Sequence, residues 1–216
     1  MSSMLVIGAG RMGTRLAEKL MQLNNEVMIV DRNDERAQKM SEICTSVKVG
    51  DCTDAETLEM IEPASFDVCF VCISDDFQAS MMITAILKEL GAKTVVSRAG
   101  SELHERLLYK VGCDHVVFPE NQTADHIAIK YTENGIQDYF RLSDEYAIME
   151  INVPGKWIGK TIRELNVRIN YGINIIGMRR NKEFVPIVKS DYCFSSDEVI
   201  IVAGEEKKIL SLFKKN

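Results

Sequence analysis

The chain has 216 residues, of which 46% are hydrophobic and 27% charged, and its formal net charge is −6. These proportions are typical of a globular protein with a core of normal size. The negative charge argues against nucleic acid as a partner, because nucleic-acid binding needs a basic face. The apolar runs are too short to span a bilayer, and no signal peptide precedes the first predicted strand. We therefore expect a cytoplasmic protein whose six cysteines are reduced thiols.

Short apolar runs alternate with amphipathic stretches in the first part of the chain. Strands are predicted at residues 4–7, 26–30, 46–49, 67–73, 93–97 and 115–118. Helices are predicted at residues 12–23, 33–43, 77–90 and 101–111, and another begins at a capping box formed by Thr53 and Glu56. Strands that alternate with helices across short loops predict a parallel sheet covered by helices on both faces. The expected fold is therefore α/β, with a Rossmann-like doubly wound sheet.

The pattern changes after Pro119. Residues 121–131 are predicted to form a single helix that leads away from the sheet, and the following residues 132–143 are polar and include Gly135. We place the domain boundary there, so that residues 1–134 form the first domain and residues 135–216 the second.

The second domain is expected to be a small α/β unit. Strands are predicted at residues 146–153, 172–178, 184–185 and 199–202, with a capping box formed by Thr161 and Glu164 and a last helix at residues 205–213. A unit of this size buries little core by itself, so we expect it to dimerise.

The strongest motif is a glycine-rich loop that follows the first predicted strand and opens the first helix. It consists of Gly8, Ala9, Gly10, Arg11, Met12 and Gly13. In such loops the first glycine permits a tight turn, the second lets a pyrophosphate approach the backbone, and the third lets helix and strand pack closely. The helix N-terminus adds free N–H groups and a positive dipole end. We therefore predict that this loop binds the phosphates of an adenine nucleotide.

An acidic residue ends the second predicted strand, where such sites hold the ribose. Asp31 lies eighteen residues after Gly13 and is predicted to accept hydrogen bonds from ribose hydroxyls. An unphosphorylated ribose favours NAD over NADP, although the neighbouring Arg32 would also accept a phosphate or stack on adenine. The alternative is a Rossmann domain that has lost its ligand, and the complete context of the motif argues against it.

Further candidates follow the third, fourth and fifth predicted strands, whose carboxyl ends line the ligand crevice in this architecture. They are Asp51, Cys52, Ile73, Ser74, Asp75 and Arg98. Asp51 would meet the adenine edge, cap the next helix, or do both. Arg98 would reach a phosphate tail together with Arg11, and an ordinary surface arginine is the equal alternative.

The nucleotide motifs are not accompanied by a recognisable catalytic centre. The three histidines, His104, His115 and His126, lie in different predicted elements, and there is neither a nucleophile elbow nor a Walker A lysine. A dehydrogenase needs an acid or base beside the nicotinamide, and the second domain contains no histidine. We therefore expect that the protein is not an enzyme, and a small NAD-dependent oxidoreductase is the alternative.

The order of these motifs resembles the RCK domain, the regulator of potassium conductance. In the first domain the resemblance rests on the glycine loop with Arg11, on Asp31, Gly50, Asp51, Ser74, Asp75 and Arg98, and on residues 118–120. In the second domain it rests on residues 142–146, 159–165, 171–172 and 197–202, which are similar to the TrkA-C domain. Together these motifs cover nearly the whole chain in the expected order.

The resemblance implies a cytoplasmic regulatory subunit that gates a potassium uptake system of the Trk/Ktr type in response to NAD(H) or ATP/ADP. It implies assembly through dimers into an octameric ring, held at the inner face of the plasma membrane by an integral-membrane transporter or channel subunit. It also implies that Arg11 approaches the nucleotide phosphates, and that Glu120 lies near a ligand or metal site shared between paired domains. Nucleotide exchange would then shift a hinge near residues 120–131.

A second ligand is implied for the C-terminal domain, because some relatives bind cyclic di-AMP across the dimer of this domain. The corresponding pocket would lie around Arg168, Asn170, Tyr171, Ile173, Asn174, Ile175 and Pro186. Trk-type subunits usually carry two such units in tandem, whereas this sequence carries one. The resemblance is therefore nearer to the Ktr type or to a single-unit TrkA homologue.

Overall fold

The computed structural model of the chain describes residues 1–73, 75–132, 135–180, 183–186 and 188–213, with only the backbone of Gln122. The chain divides into two compact units, Met1–Glu120 and Asn121–Asn216. The domain boundary expected between residues 134 and 135 falls beside residues 133 and 134, which lie outside the described part. That boundary stays a prediction.

The first unit is built on a six-stranded parallel sheet. Its strands are β1 Ser3–Ile7, β2 Glu26–Asp31, β3 Ser46–Val49, β4 Val68–Val71, β5 Val95–Arg98 and β6 His115–Val117. Its helices are α1 Arg11–Gln22, α2 Asp34–Gln38, α3 Ala55–Glu59, α4 Phe77–Glu89 and α5 Glu102–Lys110, with a 3-10 turn at Pro63–Ser65. The strand order is β3-β2-β1-β4-β5-β6. The chain reverses its direction of winding between β1 and β4, and ligands bind in the crevice at such a point.

Both faces of this sheet are buried, which is why its strands read as continuous apolar runs. Leu5 and Ile7 of β1 pack in one cluster with Leu87 of α4. Val6 lies between them in the sequence and packs on the other side with Ala17 of α1. Successive residues of a strand point to opposite faces, so β1 contributes to two separate cores. The predicted doubly wound α/β fold is confirmed.

Two local predictions in the first unit are wrong. Thr53 and Glu56 do not form a capping box, because Asp54 is the N-cap of α3 and its carboxylate accepts a hydrogen bond from the Thr57 N–H at 3.2 Å. The helix expected to reach residue 43 ends at Gln38. Met40, whose apolar character supported a longer helix, is still buried, but from a turn that follows α2.

The second unit is built on a five-stranded antiparallel sheet. Helix α6, Pro119–Thr132, runs from the last residues of the first unit into the second. The strands are β7 Ile136–Arg141, β8 Tyr146–Asn152, β9 Ile173–Arg180, β10 Glu183–Val185 and β11 Val199–Glu205. The remaining helices are α7 Ile162–Leu165, α8 Val167–Tyr171 and α9 Glu206–Ser211, with a 3-10 turn at Gly155–Trp157. The strand order is β10-β9-β11-β8-β7.

The core of the second unit forms around the only tryptophan of the sequence. Trp157 is fully buried, and its ring lies 5.1 Å from that of Tyr171 and 6.0 Å from that of Phe194, measured between centroids. Met149 of β8 and Ile200 of β11 close the same cluster from the sheet. The fluorescence of Trp157 therefore reports on the folding of this unit.

The polar segment in which the domain boundary was expected contains strand β7, which the sequence did not predict. Ile136 and Tyr139 are only 5% and 8% exposed, whereas the residues between them are polar and point outward. The apolar residues of this segment, Ile136, Tyr139, Phe140 and Leu142, do not alternate regularly with polar ones, so no strand was recognisable. The strand forms because β8 offers a free edge with which it pairs in antiparallel register.

The second predicted capping box is confirmed. The hydroxyl of Thr161 accepts a hydrogen bond from the Glu164 backbone N–H at 3.2 Å, and Glu164 Oε2 accepts one from the Thr161 backbone N–H at 2.7 Å. The pair satisfies two N–H groups that the short helix α7 would otherwise leave without partners.

Replacing Thr161 by alanine should lower the free energy of unfolding of the second unit by about 1 kcal/mol. Urea unfolding followed by the fluorescence of Trp157 measures this loss. Thr123→Ala, at an exposed position of α6, is the matched control and should stay within about 0.5 kcal/mol of the wild type. Equal losses in the two variants would contradict the capping role.

Candidate functional site

A cleft of about 300 Å³ opens where the carboxyl ends of β1 to β5 meet. Eleven of the residues predicted from the sequence line it: Gly8, Gly10, Arg11, Met12, Asp31, Arg32, Asp51, Cys52, Ile73, Asp75 and Arg98. Ala9 and Gly13 do not line the cleft, and Ser74 lies outside the described residues. Arg36, Cys72 and Asp76 also line it and were missed.

The three glycines of the loop have three different reasons for lacking a side chain. Gly8 adopts a φ of +100°, which side chains disfavour, and its N–H donates to the Val30 carbonyl at 2.7 Å. A Cβ added to Gly13 would lie 1.8 Å from the carbonyl oxygen of Gly8. A Cβ added to Gly10 would meet nothing within 4 Å. Gly10 is therefore not needed for packing, and the open space beside it is where a ligand can approach the backbone.

Helix α1 begins immediately after this open position. Gly10 is its N-cap, and the first turn contains no acidic residue. The N–H groups of the first turn have no partner within the helix, and the helix dipole adds partial positive charge at this end. Together with the guanidinium of Arg11, they suit the phosphates of a ligand.

Asp31 anchors the loop as well as lining the cleft. The residue is 8% exposed, and its Oδ2 accepts a hydrogen bond from the Ala9 N–H at 2.6 Å while its Oδ1 accepts one from the Asn33 N–H at 2.8 Å. From the sequence, only a contact with the ribose was predicted for this carboxylate. Each carboxylate oxygen accepts more than one hydrogen bond, so the same group can hold the loop and a ribose hydroxyl.

Asp51 lines the cleft and orders the turn before α3, but it does not cap that helix, whose N-cap is Asp54. Its contact with adenine stays a prediction. Its Oδ1 accepts hydrogen bonds from the backbone N–H of Thr53 at 3.0 Å and from the Thr53 hydroxyl at 2.7 Å, which orders the turn before α3. Both hydrogen bonds lower the pKa of Asp51, the one from the backbone N–H more than the one from the hydroxyl, and they keep the carboxylate ionised. Arg32 and Arg36 line the cleft together with it. Arg36 was missed, and the available signal was that α2 begins three residues after Asp31.

Cys52 and Cys72 form apolar walls of the cleft. Burial raises the pKa of each thiol to about 12, although the positive charge of Arg98 opposes the effect at Cys72. A thiol with such a pKa is neutral near pH 7 and is a poor nucleophile. These two residues therefore shape the cleft and offer no covalent chemistry.

Arg98 and Glu120, which the sequence placed in separate roles, form an ion pair. Arg98 ends β5 with its side chain 17% exposed, and its Nη2 donates to Oε1 of Glu120, the second residue of α6. Among the described residues, no group of three or more potential metal ligands comes together. The metal role of Glu120 stays a prediction.

A second cleft of about 420 Å³ lies in the second unit beside α7, α8 and β9. Of the residues expected there, Arg168, Ile173, Asn174 and Ile175 line it, together with Arg163, Asn166 and Ile169, which were missed. Arg168 Nε donates to Asn174 Oδ1 at 2.8 Å. Asn170 donates instead to the Leu165 carbonyl at 2.8 Å, and Tyr171 packs on the tryptophan ring. Pro186 does not line the cleft.

A parallel doubly wound sheet with a glycine-loop cleft, continued by a small antiparallel unit, defines the class of RCK-type domain pairs. The TrkA-N domain family matches residues 4–119, and the TrkA-C domain family matches residues 147–215. The chain belongs to the TrkA-N family, with a TrkA-C domain after it. The resemblance stated from the sequence is confirmed.

Two curated relatives match nearly the whole chain. The Ktr system potassium uptake protein C of Bacillus subtilis (strain 168) is 35% identical over 97% of this chain and 95% of its own length. The Ktr system potassium uptake protein A of Vibrio alginolyticus is 28% identical over the same shares of the two chains. Both of these relatives are thus named as potassium uptake proteins.

A solved structure of the GsuK channel bound to NAD has the same fold. It superposes with a TM-score of 0.69 and 21% identity over 98% of this chain, which spans 38% of the channel chain. At this identity the likeness concerns the fold alone. In the part of the chain that the structure describes, no helix is both long enough and apolar enough to cross a membrane.

The glycine geometry predicts opposite outcomes for two alanine substitutions. Gly13→Ala should lower the free energy of unfolding by more than about 2 kcal/mol, because its Cβ would overlap the Gly8 carbonyl. Gly10→Ala, the matched control, should cost less than about 1 kcal/mol. Chemical unfolding followed by circular dichroism measures both. Equal losses would show that α1 does not need to approach β1 this closely.

Proposed function

We propose that this chain is a cytoplasmic regulatory subunit of a potassium uptake system of the Ktr type, controlled by NAD(H) or ATP/ADP bound in the first unit. The observation that carries the proposal is the cleft, which unites the glycine loop, Asp31, Arg11 and Arg98 at one edge of the sheet. The names of the relatives and the NAD-bound channel of the same fold support it.

The cleft matches an adenine nucleotide in the order of its polar groups. Asp31 and Asp51, with Arg32, stand at the ends of β2 and β3 and suit the ribose and the adenine. The N-terminus of α1 follows at β1 and suits the phosphates. Arg98 stands at β5, beyond β4, and suits the part of the ligand that lies farthest from the adenine.

The ion pair between Arg98 and Glu120 gives such a ligand a route to the rest of the chain. A phosphate that binds Arg98 competes with the Glu120 carboxylate and so releases the start of α6. Further along α6, His126 Nε2 lies 2.6 Å from Asp138 Oδ1, and Asp125 accepts from Arg141 at 3.2 Å, both on β7. A ligand in the cleft can shift α6 from one position to another only if it binds the two corresponding conformations of the protein with different affinities.

We also propose that copies of this chain assemble through dimers into an octameric ring, attached to an integral-membrane partner at the inner face of the plasma membrane. Large apolar side chains on the outer faces of α4 and α5 support contact between copies. They are Phe77, Met82, Leu103 and Tyr109, each 41–55% exposed. Burying them against another protein surface would be favourable. A metal ion near Glu120 would then complete its ligands from a paired domain.

Cyclic di-AMP is proposed as a second ligand, bound across a dimer of the second unit. Arg168 and Asn174 are already joined by a hydrogen bond at the cleft beside α8, and Ile169 next to them is 77% exposed. A guanidinium, an amide and an apolar side chain suit a phosphate and an adenine face. Each copy would supply one half of the site.

Asp31→Ala should weaken the binding of NADH or ADP by about 1–3 kcal/mol, because charge-assisted hydrogen bonds to the ribose are lost. Isothermal calorimetry with NAD, NADH, ATP, ADP and cyclic di-AMP measures the affinities, and Arg168→Ala tests the last of these. Asp34→Ala removes an equal charge at an exposed position of α2 and is the control. Turnover of NADH with a small substrate, without a co-purifying membrane partner, would instead favour the oxidoreductase.

Hydrogen exchange tests the coupling from the cleft to α6. Bound nucleotide should speed exchange of the backbone amides in the first turns of α6, since Glu120 loses its partner. In Glu120→Gln this exchange should already be fast and should not respond to nucleotide. Glu105→Gln, on α5, is the control variant and should respond as the wild type does. Slower exchange in the wild type on binding would contradict the competition between phosphate and Glu120.

A further inference from the structure

His104 is buried behind the nucleotide cleft without lining it. The residue lies in the first turn of α5 and is 2% exposed. Its Nδ1 accepts a hydrogen bond from the Gly100 N–H at 3.2 Å, and its own backbone N–H donates to the hydroxyl of Ser101 at 3.2 Å. A ring that accepts at Nδ1 is neutral and carries its proton on Nε2.

The ring contacts two residues that lie close in sequence to cleft residues, one on each side of it. Gly100 comes two residues after Arg98, and between them Ala99 is fully buried and donates to the Val117 carbonyl at 2.9 Å. On its other side, the ring lies 4.7 Å from that of Phe77, centroid to centroid. Phe77 follows Asp76, which lines the cleft. One buried side chain thus contacts the β5–α5 connection at Gly100 and the first residue of α4 at Phe77.

Packing alone does not account for a histidine at this place. Nε2 of His104 is buried, and among the described residues it has no hydrogen-bond partner. A buried N–H without a partner destabilises a fold, so an apolar ring would serve better if only volume mattered. An apolar ring at this position could not accept the hydrogen bond that His104 accepts from the Gly100 N–H.

We propose that His104 is a positioning residue for the nucleotide cleft, because its neutral ring holds the Gly100 turn and thereby sets the direction in which Arg98 leaves β5. The proposal rests on the proposed function, since it concerns how tightly the cleft binds nucleotide phosphates. Protonation puts a proton on Nδ1 and removes the acceptor for Gly100. Nucleotide affinity therefore falls when the ring becomes charged.

The surroundings of the ring favour the neutral form. Burial lowers the pKa of His104 from its ordinary value. The ionisable groups within two residues of His104, or of the residues Gly100 and Phe77 that it contacts, are Asp75, Asp76, Arg98, Glu102, Glu105 and Arg106. Because its pKa is lower in the folded protein, His104 binds a proton more readily in the unfolded chain. The contribution of the neutral ring to the free energy of unfolding is therefore complete above about pH 6.5, and it is lost as the pH falls through the lower pKa of the folded protein.

Three substitutions in the full chain separate positioning from packing. In His104→Asn the amide oxygen takes roughly the place of Nδ1 and can still accept from Gly100, whereas His104→Leu keeps the volume and removes the acceptor. His115→Leu, at an exposed position of β6, is the matched control. At pH 7.5, calorimetry with ADP and NADH should show a loss of about tenfold for His104→Leu and less than about threefold for His104→Asn. His115→Leu should bind as the wild type does.

A double variant tests whether the effect passes through the arginine. Arg98→Ala combined with His104→Leu should bind no more weakly than Arg98→Ala alone, because effects that act through one group do not add. Additive losses would overturn the proposal, and so would a His104→Asn variant that binds as weakly as His104→Leu.

The pH dependence provides a readout that holds even if His104→Leu does not fold. Wild-type affinity for ADP should be lower at pH 5.5 than at pH 7.5, and His104→Asn should lose most of this difference. An equal drop in both proteins would contradict the positioning role. Absence of nucleotide binding by the wild type at pH 7.5 would contradict the proposed function instead, so the two failures are distinguishable.

Discussion

The cleft of this protein depends on the close approach of helix α1 to strand β1. At Gly13 the helix passes so near the Gly8 carbonyl that even a methyl group has no room. This approach places the N-terminus of α1 over the carboxyl edge of the sheet, where Asp31 and Arg98 also emerge from their strands. The free N–H groups of the helix then face the same space as the charged side chains. If α1 lay farther from the sheet, the N–H groups of the helix and the charged side chains could not contact the same ligand.

Several cleft residues are engaged before any ligand arrives. Asp31 holds the N–H groups of Ala9 and Asn33, and Arg98 holds Glu120. The two cases differ in consequence. A carboxylate oxygen can accept a ligand hydroxyl without giving up its backbone donor, so Asp31 keeps the loop in place. An arginine that turns toward a phosphate weakens its pair with a carboxylate. In the proposed mode of binding, Arg98 would therefore give up its pair with Glu120, the second residue of α6.

Several polar side chains of the first unit are buried. The Thr84 and Ser97 hydroxyls share a hydrogen bond of 2.8 Å, and the Ser80 hydroxyl is fully buried near the start of the same helix. The Ser80 hydroxyl has no hydrogen-bond partner among the described residues, so it stabilises the fold less than an apolar group would. The Thr84–Ser97 bond joins α4 to β5, and His104 of α5 accepts from Gly100 in the turn after β5. The strand that ends at Arg98 is thus tied to α4, and the turn that follows it is tied to α5.

The sequence alone determined the alternation of strands and helices, the glycine loop and the position of Asp31, because each depends on spacing within a few turns of chain. It also identified the Thr161 capping box for the same reason. Only the tertiary structure decided that Arg98 pairs with Glu120, that Arg36 joins the cleft and that β7 is a strand. These depend on partners brought together by the sheet and not by the order of the chain. The glycine loop was readable as a motif, whereas the contacts among the cleft residues required the folded protein.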